Sequence, residues 1–398
     1  MRILFVHQDH CLYGASRSLL AMIEQLTKRG HTCFVLLPRS GPLVDELQAR
    51  GISYGISPWR GWMSPEEFSR PRRVASAAKG FLRNLLCMHR AAKICKAFAP
   101  DIVHTNSSRT AFGSMLAYRL GARHTWHFRE FLGGPYSVGW EFSLGRMMSF
   151  AWVRSSSSAV VLVSQALKSD LGKRLPAGHN FVVHNGVMSL HEMRLAATPV
   201  PLSLPFTLAL VGRFDRWKQP MTALEAVRIL HDEGKDVRLL VAGSGLERDA
   251  QQVADYVAEH KLAGQVKMLG FVQDVSSLYA QSHALLMCSR GDAFGRVIAE
   301  AMAYGRPVIG ADAGATPELV QDGVNGVLYR SGDPNDLASK IRSLMDNAAL
   351  LAQLGKNAAQ TAQSKFTNEK YGEAMESIFL DVLKGSKTRW LFPTRTRT

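Results

Sequence analysis

The sequence predicts an α/β fold in two domains, each organised on a parallel sheet. Three observations support this. A chain of 398 residues is longer than one ordinary hydrophobic core serves, so length alone argues for two domains. Short apolar runs alternate with helical periods through residues 1–188, and again through 206–365, which is the pattern of strand–helix–strand crossovers. Between them, residues 189–205 carry Pro199, Pro201 and Pro205 without a clear period and read as a linker. Residues 366–398 add a last helix and a basic tail.

In the first domain, Ile3–Val6 is the first strand, and the small-residue turn Gly14-Ala15-Ser16 opens a helix whose apolar face is Leu19, Leu20, Met22, Ile23 and Leu26. Gly14 lets backbone approach a ligand closely after that strand. Cys33–Leu37 is the second strand. Ser69–Phe98 is helical and basic, with Phe81, Leu82, Leu85, Leu86 and Met88 set among the cations like a membrane-surface helix; packing of that face on the sheet is the alternative. Ile102–His104 is a strand, Phe112–Leu120 a helix, and His124–Phe131 a strand with its exit. Gly133–Trp152 is rich in aromatic residues suited to stacking on a sugar, to a membrane interface or to core packing. Ala159–Val163 is a buried strand, and Val182–Val187 closes the domain. His7, Asp9 and His10 read as polar loop residues, since an extended segment does not make them converge on a metal.

In the second domain, Phe206–Val211 is a strand running into Gly212-Arg213, with Lys218 just beyond. A guanidinium fork and an ammonium point charge past a strand end suit a diphosphate. Val237–Ala242, Val266–Leu269 and Ala284–Met287 are further strands. The last leads into a loop punctuated by Gly291 and Gly295. A helix follows with Val297, Ile298, Ala301 and Met302 on one face, stopped by Gly305 and Pro307. Val308 and Ile309 begin another strand, and Asp333–Met345, Leu350–Ser364 and Phe366–Val382 are helical. Asp292 in the loop and Glu300 on the helix stand eight positions apart. A helix starting near Gly295 aims free backbone N–H groups at the loop, which suits phosphate, while Glu300 can accept bonds from vicinal hydroxyls. One such unit holds a diphosphate between two polyols, which is the outline of a nucleotide sugar.

At these residues the sequence resembles the retaining glycosyltransferases of family 4, which have the GT-B fold. Their pattern is Glu, seven residues, Glu, with Phe-Gly after the first acid and Glu-Ala-Met-Ala-x-Gly-x-Pro-Val from the second. This chain has Asp292 for the first Glu, then Phe294 and Gly295, then Glu300-Ala301-Met302-Ala303 with Gly305 and Pro307. The resemblance implies two Rossmann-like doubly wound domains facing across a cleft, the last helix crossing back to the first. It gives donor-binding roles to Gly14, Arg213, Lys218, Phe294, Gly295, Arg296, Val297 and Glu300, and catalytic roles to His127 and Asp292, with His127 over the donor sugar. The family's Gly-Gly-Ala turn is Tyr13-Gly14-Ala15 here, and its Lys-Gly is Lys218-Gln219. The implied reaction moves a sugar from a nucleoside diphosphate to a hydroxyl of a glycan or lipid-linked acceptor with retention, as in cell-surface polysaccharide or lipopolysaccharide assembly.

No Asp-x-Asp occurs, so no metal and no cofactor is expected; cations and helix dipoles would neutralise the leaving diphosphate. Five cysteines without a Cys-x-x-Cys pair point to a reducing compartment and away from structural zinc. Met1–Val6 reads as a strand and no apolar run reaches a membrane span, so the expectation is a cytoplasmic protein at the inner face of the membrane. Its formal charge of +15 is uneven: nine cations face two acids between Arg60 and Lys96, an attraction for anionic lipid. Two rival readings are a sugar-nucleotide epimerase of the same architecture and a basic nucleic-acid-binding protein; no nucleic-acid-binding motif supports the second.

Overall fold

The structure is a computed structural model and describes residues 1–132, 139–199 and 202–385. The chain divides into two compact units. One is Met1–Gly186 together with the chain from Asn368 onward, and the other is Val187–Thr367.

Among the described residues the first unit holds nine strands: β1 (Arg2–Val6), β2 (Thr32–Leu37), β3 (Ser53–Ile56), β4 (Met63–Pro65), β5 (Ile102–Thr105), β6 (Arg123–Phe128), β7 (Trp140–Phe142), β8 (Ala159–Leu162) and β9 (Asn180–Val182). Seven form a parallel sheet in the order β3-β2-β1-β5-β6-β8-β9, and β4 and β7 make a small antiparallel pair. Successive side chains of a strand point to opposite faces, so β1 feeds two cores. Ile3 and Phe5 pack with Leu19, Ile23, Met375 and Phe379 on one face; Leu4 and Val6 pack with Met88, Ala91, Phe112 and Leu116 on the other. The strand order reverses between β1 and β5, where doubly wound sheets receive ligands at their carboxyl ends.

The helix Asn368–Lys384 belongs to this unit. It buries Tyr371, Met375, Ile378, Phe379 and Val382, an i, i+4, i+7, i+8, i+11 stripe, against the helix Gly14–Lys28 and β1. The helix Arg70–Lys96 packs through small and short groups: Gly80, Asn84, Met88, Ala91, Ala92 and Cys95. Its larger apolar side chains Val74, Phe81, Leu82, Leu85 and Leu86 do not face the sheet. They are exposed, with Leu86 at 75%.

The second unit holds β10 (Phe206–Val211), β11 (Val237–Ala242), β12 (Val266–Gly270), β13 (Ala284–Met287), β14 (Val308–Ala311) and β15 (Gly326–Tyr329), all parallel in the order β12-β11-β10-β13-β14-β15. Here the reversal falls between β10 and β13. Leu208, Leu210, Leu286 and Ile309 from the central strands pack with Leu224, Val227, Leu337, Ile341 and Leu354 of the flanking helices.

Residues 189–205, read from the sequence as a linker without a clear period, contain a helix. Leu190–Ala196 is a helix, started by a capping box in which Ser189 and Glu192 satisfy each other's backbone N–H groups. Arg306, almost wholly buried, donates to the Thr198 carbonyl at 2.6 Å and to the Tyr279 and Ala280 carbonyls, so this segment is tied to the second unit. Pro201, part of the aromatic stretch (133–138), and the tail with Trp390, Leu391 and Phe392 lie outside the described residues.

Candidate active site

At the switch point of the second unit, a small open hollow is lined by the ends of β10 and β13 with Arg213, Lys218 and Ser289. Asp215 shapes the turn after β10. Its carboxylate accepts the backbone N–H groups of Trp217 and Lys218 at 3.0 Å each, and it pairs with Arg213 at 3.0 Å. This Asx-type turn places Lys218 so that its ammonium meets Asp292 of the next strand-end loop at 2.5 Å. The two loops are stitched together where Arg290 N–H donates to the Trp217 carbonyl at 2.9 Å. Asp215 was not among the expected site residues; an Asp two and three positions before backbone donors in a strand-exit turn is the signal that marks it.

The Asp292 loop is held from behind. Ala315 N–H donates to the Asp292 carbonyl at 2.9 Å, and a Cβ on Gly314 would lie 2.9 Å from that same oxygen, at a φ of +58°. Gly314 is therefore required twice, by close approach and by a left-handed backbone. Gly295, at φ +71°, turns the chain into the helix Arg296–Ala303, and no side chain caps that helix. The Ile298 N–H donates to the Gly295 carbonyl at 2.9 Å, and the positive dipole end of the helix faces the loop.

On that helix Glu300 pairs with Arg296 at 3.0 Å, and its other oxygen is 3.4 Å from the Tyr279 hydroxyl. Val297 is half-buried on the same turn. Phe294 is buried and sits edge-on to Phe366, with ring centroids 5.7 Å apart, so its ring anchors the loop. The second unit thus brings Arg213, Lys218, Asp292, Gly295, Arg296 and Glu300 to the carboxyl ends of its sheet. Every charged member has an opposite charge beside it. Such partly exposed pairs are each worth ~0–1 kcal/mol, less than the ~1.5–3 kcal/mol of a charge-assisted bond, so a phosphate or hydroxyl ligand can displace them.

The remaining two expected residues lie in the first unit. Gly14 is the exposed first residue of the helix after β1. His127, on β6, is fully buried. Its Nδ1 lies 3.2 Å from Arg129 Nη2, its ring meets His104 edge-on at 5.5 Å, and its Nε2 has no hydrogen-bond partner among the described residues. His124, its competitor on the same strand, is fully partnered by Thr105 Oγ1 and the Ser156 carbonyl. Burial holds the imidazoles of His7, His104, His124 and His127 well below their usual range. His7 stands at about 4 and His124 at about 3, and Arg129 adds repulsion at His127. His7 is bonded to Ser16 and Asn106, and His10 to Arg39; among the described residues no group of three His, Cys, Asp or Glu side chains could hold a metal.

Comparison with known proteins decides the family. The profile of Glycosyl transferases group 1 matches residues 203–361, and that of Glycosyltransferase Family 4 matches residues 13–188. A D-inositol 3-phosphate glycosyltransferase of Corynebacterium diphtheriae is 30% identical over 396 residues, covering 92% of this chain and 90% of that protein. The chain belongs to glycosyltransferase family 4. It is an enzyme of the glycosyltransferase class with the GT-B fold. An N-acetyl-alpha-D-glucosaminyl L-malate synthase of Bacillus anthracis is 33% identical over 177 residues, which is 44% of this chain and 46% of that relative. Among solved structures, Anabaena HepE in complex with UDP superposes with a TM-score of 0.79 at 20% identity, over 96% of this chain and all of that one.

Proposed function

We propose that this glycosyltransferase moves a sugar from a UDP-sugar to a hydroxyl of a glycan or lipid-linked acceptor, with retention at the anomeric carbon and without a bound metal or cofactor. The observation that carries the reading is the gathering of Arg213, Lys218 and the uncapped Gly295 helix start at one switch point, with Glu300 a turn further along. In this reading Arg213, Lys218 and the backbone of Gly295–Val297 take the diphosphate, and the family resemblance gives Gly14 a donor-binding role. Glu300 releases Arg296 to accept the ribose hydroxyls. Asp292 releases Lys218 to the phosphate and takes hydroxyls of the sugar. The family resemblance gives His127 the sugar ring. The absence of Asp-x-Asp from the sequence and the two cations at the strand ends support neutralisation of the leaving diphosphate by the protein itself. UDP is favoured over other nucleotides by the HepE complex.

In the same reading the acceptor lies at an anionic membrane, in cell-surface polysaccharide or lipopolysaccharide assembly on the cytoplasmic side. Support comes from the helix Arg70–Lys96. Its outward face carries Val74, Phe81, Leu82, Leu85 and Leu86, with Arg70, Arg72, Lys79, Arg83, Arg90, Lys93 and Lys96 exposed beside them. None of these cations pairs with a carboxylate among the described residues. No described helix is long and apolar enough to cross a membrane.

The test is turnover of a panel of UDP- and GDP-sugars with vesicle-borne and soluble glycan acceptors, in EDTA, with the anomeric configuration of the product read by NMR. The reading expects transfer with retention, undiminished by EDTA. An inverted product, full loss in EDTA restored by Mg²⁺, or release of an epimerised sugar nucleotide without transfer would each overturn part of it.

A further inference from the structure

Arg129 follows β6 and reaches residues beyond the carboxyl ends of β5 and β9 and in the first turn of the last helix. Its Nε and Nη2 both donate to Asn106 Oδ1 at the end of β5, at 3.0 and 2.8 Å. Nη1 donates to Asn185 Oδ1 beyond β9 at 2.6 Å, and Nη2 donates to the Tyr371 hydroxyl of the last helix at 2.9 Å. The same Nη2 lies 3.2 Å from His127 Nδ1. All of these partners are neutral, and no carboxylate pairs with Arg129 among the described residues. The nearest acid in sequence, Glu130, is occupied by the hydroxyls of Ser107 and Ser108 at 2.9 and 2.8 Å.

A guanidinium has five N–H donors and no acceptor. Arg129 Nη2 has two protons for three neighbours, Asn106 Oδ1, the Tyr371 hydroxyl and His127 Nδ1, so one proton is shared; a proton on Nδ1 would face a donor with nothing to accept it, and the form that fits has the lone pair on Nδ1 and the proton on Nε2. That Nε2–H is buried and unpartnered, a costly state for a donor, of the kind retained where a ligand supplies the acceptor. The geometry settles this for His127 alone. His104 also has an unpartnered Nε2, but the Thr125 hydroxyl beside its Nδ1 can donate or accept, which leaves both tautomers open.

We propose that Arg129 is a positioning residue that locks His127 as a neutral, Nε2-protonated imidazole, so that His127 acts on the donor sugar as a hydrogen-bond donor and not as a proton-transferring base or a cation. Protonating His127 would set two cations 3.2 Å apart in a buried site, where among the described residues His104 and the Tyr371 hydroxyl are the other titratable groups facing the ring, with His7 one step further through Asn106. Burial and the Arg129 charge both act in that direction. A neutral donor grips a sugar hydroxyl without adding positive charge beside an anomeric carbon that itself becomes cationic in the transition state. The proposal rests on the reading of His127 as a sugar contact, but the lock can be measured without it.

The measurement is the two-bond ¹⁵N–¹H spectrum of the full chain labelled at histidine, with His127 assigned by loss of its signals in His127→Gln. Nδ1 bare and Nε2 protonated, unchanged from pH 8 to 5.5, is the expected pattern. Arg129→Leu should add the Nδ1-protonated form, and Arg129→Lys, which keeps a donor and a charge, should restore the single tautomer. In transfer assays Arg129→Leu should lower kcat about ten-fold or more, the scale of one lost hydrogen bond, with UDP affinity changed less than about two-fold. A proton on Nδ1 in the wild type, titration of His127 above pH 6, or an Arg129→Leu spectrum identical to wild type would overturn the lock. A large loss of UDP affinity would instead make Arg129 a phosphate contact and also overturn it. Should Arg129→Leu not fold, the wild-type spectrum and Arg129→Lys still decide. Full activity in His127→Gln beside the expected spectrum would remove the sugar role and leave the lock standing.

Discussion

Lowering the pH from 7.5 to 5.5 should destabilise the first unit far more than the second. Four histidines there, His7, His104, His124 and His127, are fully buried and held below their unfolded value of about 6.5. For a base whose folded pKa is depressed, the unfolded chain binds the extra proton. The stabilisation is therefore complete above pH 6.5 and is lost as pH falls towards the folded value. Each such group costs ~1.4 kcal/mol across these two pH units, so the four together cost ~5 kcal/mol, a large part of the ~5–15 kcal/mol that a domain has. For a unit of this size that corresponds to a fall in Tm of roughly 10–20 °C. Of the carboxyls with a resolved shift, Glu225 is lowered by its bonds to Arg228 and Tyr256, and Asp170, raised by burial, acts against the histidines in sign. The assay is thermal unfolding at pH 7.5, 6.5 and 5.5, followed by hydrogen exchange in peptides covering β1, β5 and β6, with β10, β11 and β13 as the internal control. His104→Phe, placed between Phe5 and Phe379, should remove about a quarter of the loss. A first-unit transition that moves by less than about 3 °C would mean the histidines charge inside the fold, and would refute the reasoning.

Three further outcomes follow from the geometry. Glu300→Gln should weaken UDP binding by ~1.5–3 kcal/mol in calorimetric titration, while Asp292→Asn should lower turnover more than affinity; wild-type behaviour in both would remove the acid pair from the site. Gly314→Ala places a Cβ against the Asp292 carbonyl at φ +58° and should lower second-unit stability by ~1–3 kcal/mol while cutting turnover, and an unchanged Tm would show that the loop gives way freely. The full chain should co-sediment with anionic but not neutral vesicles, less so at high salt, and replacing Arg70, Arg72, Arg73 and Lys79 by Ser should weaken this by ~1 kcal/mol per cation near the surface; equal binding to neutral vesicles would leave the helix an ordinary solvated face.

The central strands were legible because parallel strands buried on both faces read as apolar runs, and Phe206–Val211, Val237–Ala242 and Ala284–Met287 occupy the residues that such runs mark. The edge strands β3 and β15 carry mixed sequences such as Ser-Tyr-Gly-Ile and gave no such signal. The helix Leu190–Ala196 was hidden by the prolines after it, although Ser189 and Glu192 spell its start. In the site, Lys218 and Asp292 could be found from their places at strand ends, but their pairing could not, since 74 positions separate them. Phe294 was read as a ligand contact from its motif, whereas burial against Phe366 leaves its ring to packing. Arg129 carries no signal in the sequence because its partners Asn106, Asn185 and Tyr371 lie 23, 56 and 242 positions away, and the fold brings them together.

The claim at the centre is that the switch point between β10 and β13 holds the diphosphate of a nucleotide sugar. Equilibrium titration of UDP, with GDP in parallel, into the full chain and into the Arg213→Ala/Lys218→Ala pair tests it most directly. The account predicts saturable binding of one of these nucleotides by the wild type in EDTA, weakened at least about ten-fold in the double variant, since each lost charge-assisted bond is worth ~1.5 kcal/mol or more. Binding of neither nucleotide, or equal affinity in the wild type and the double variant, would contradict it.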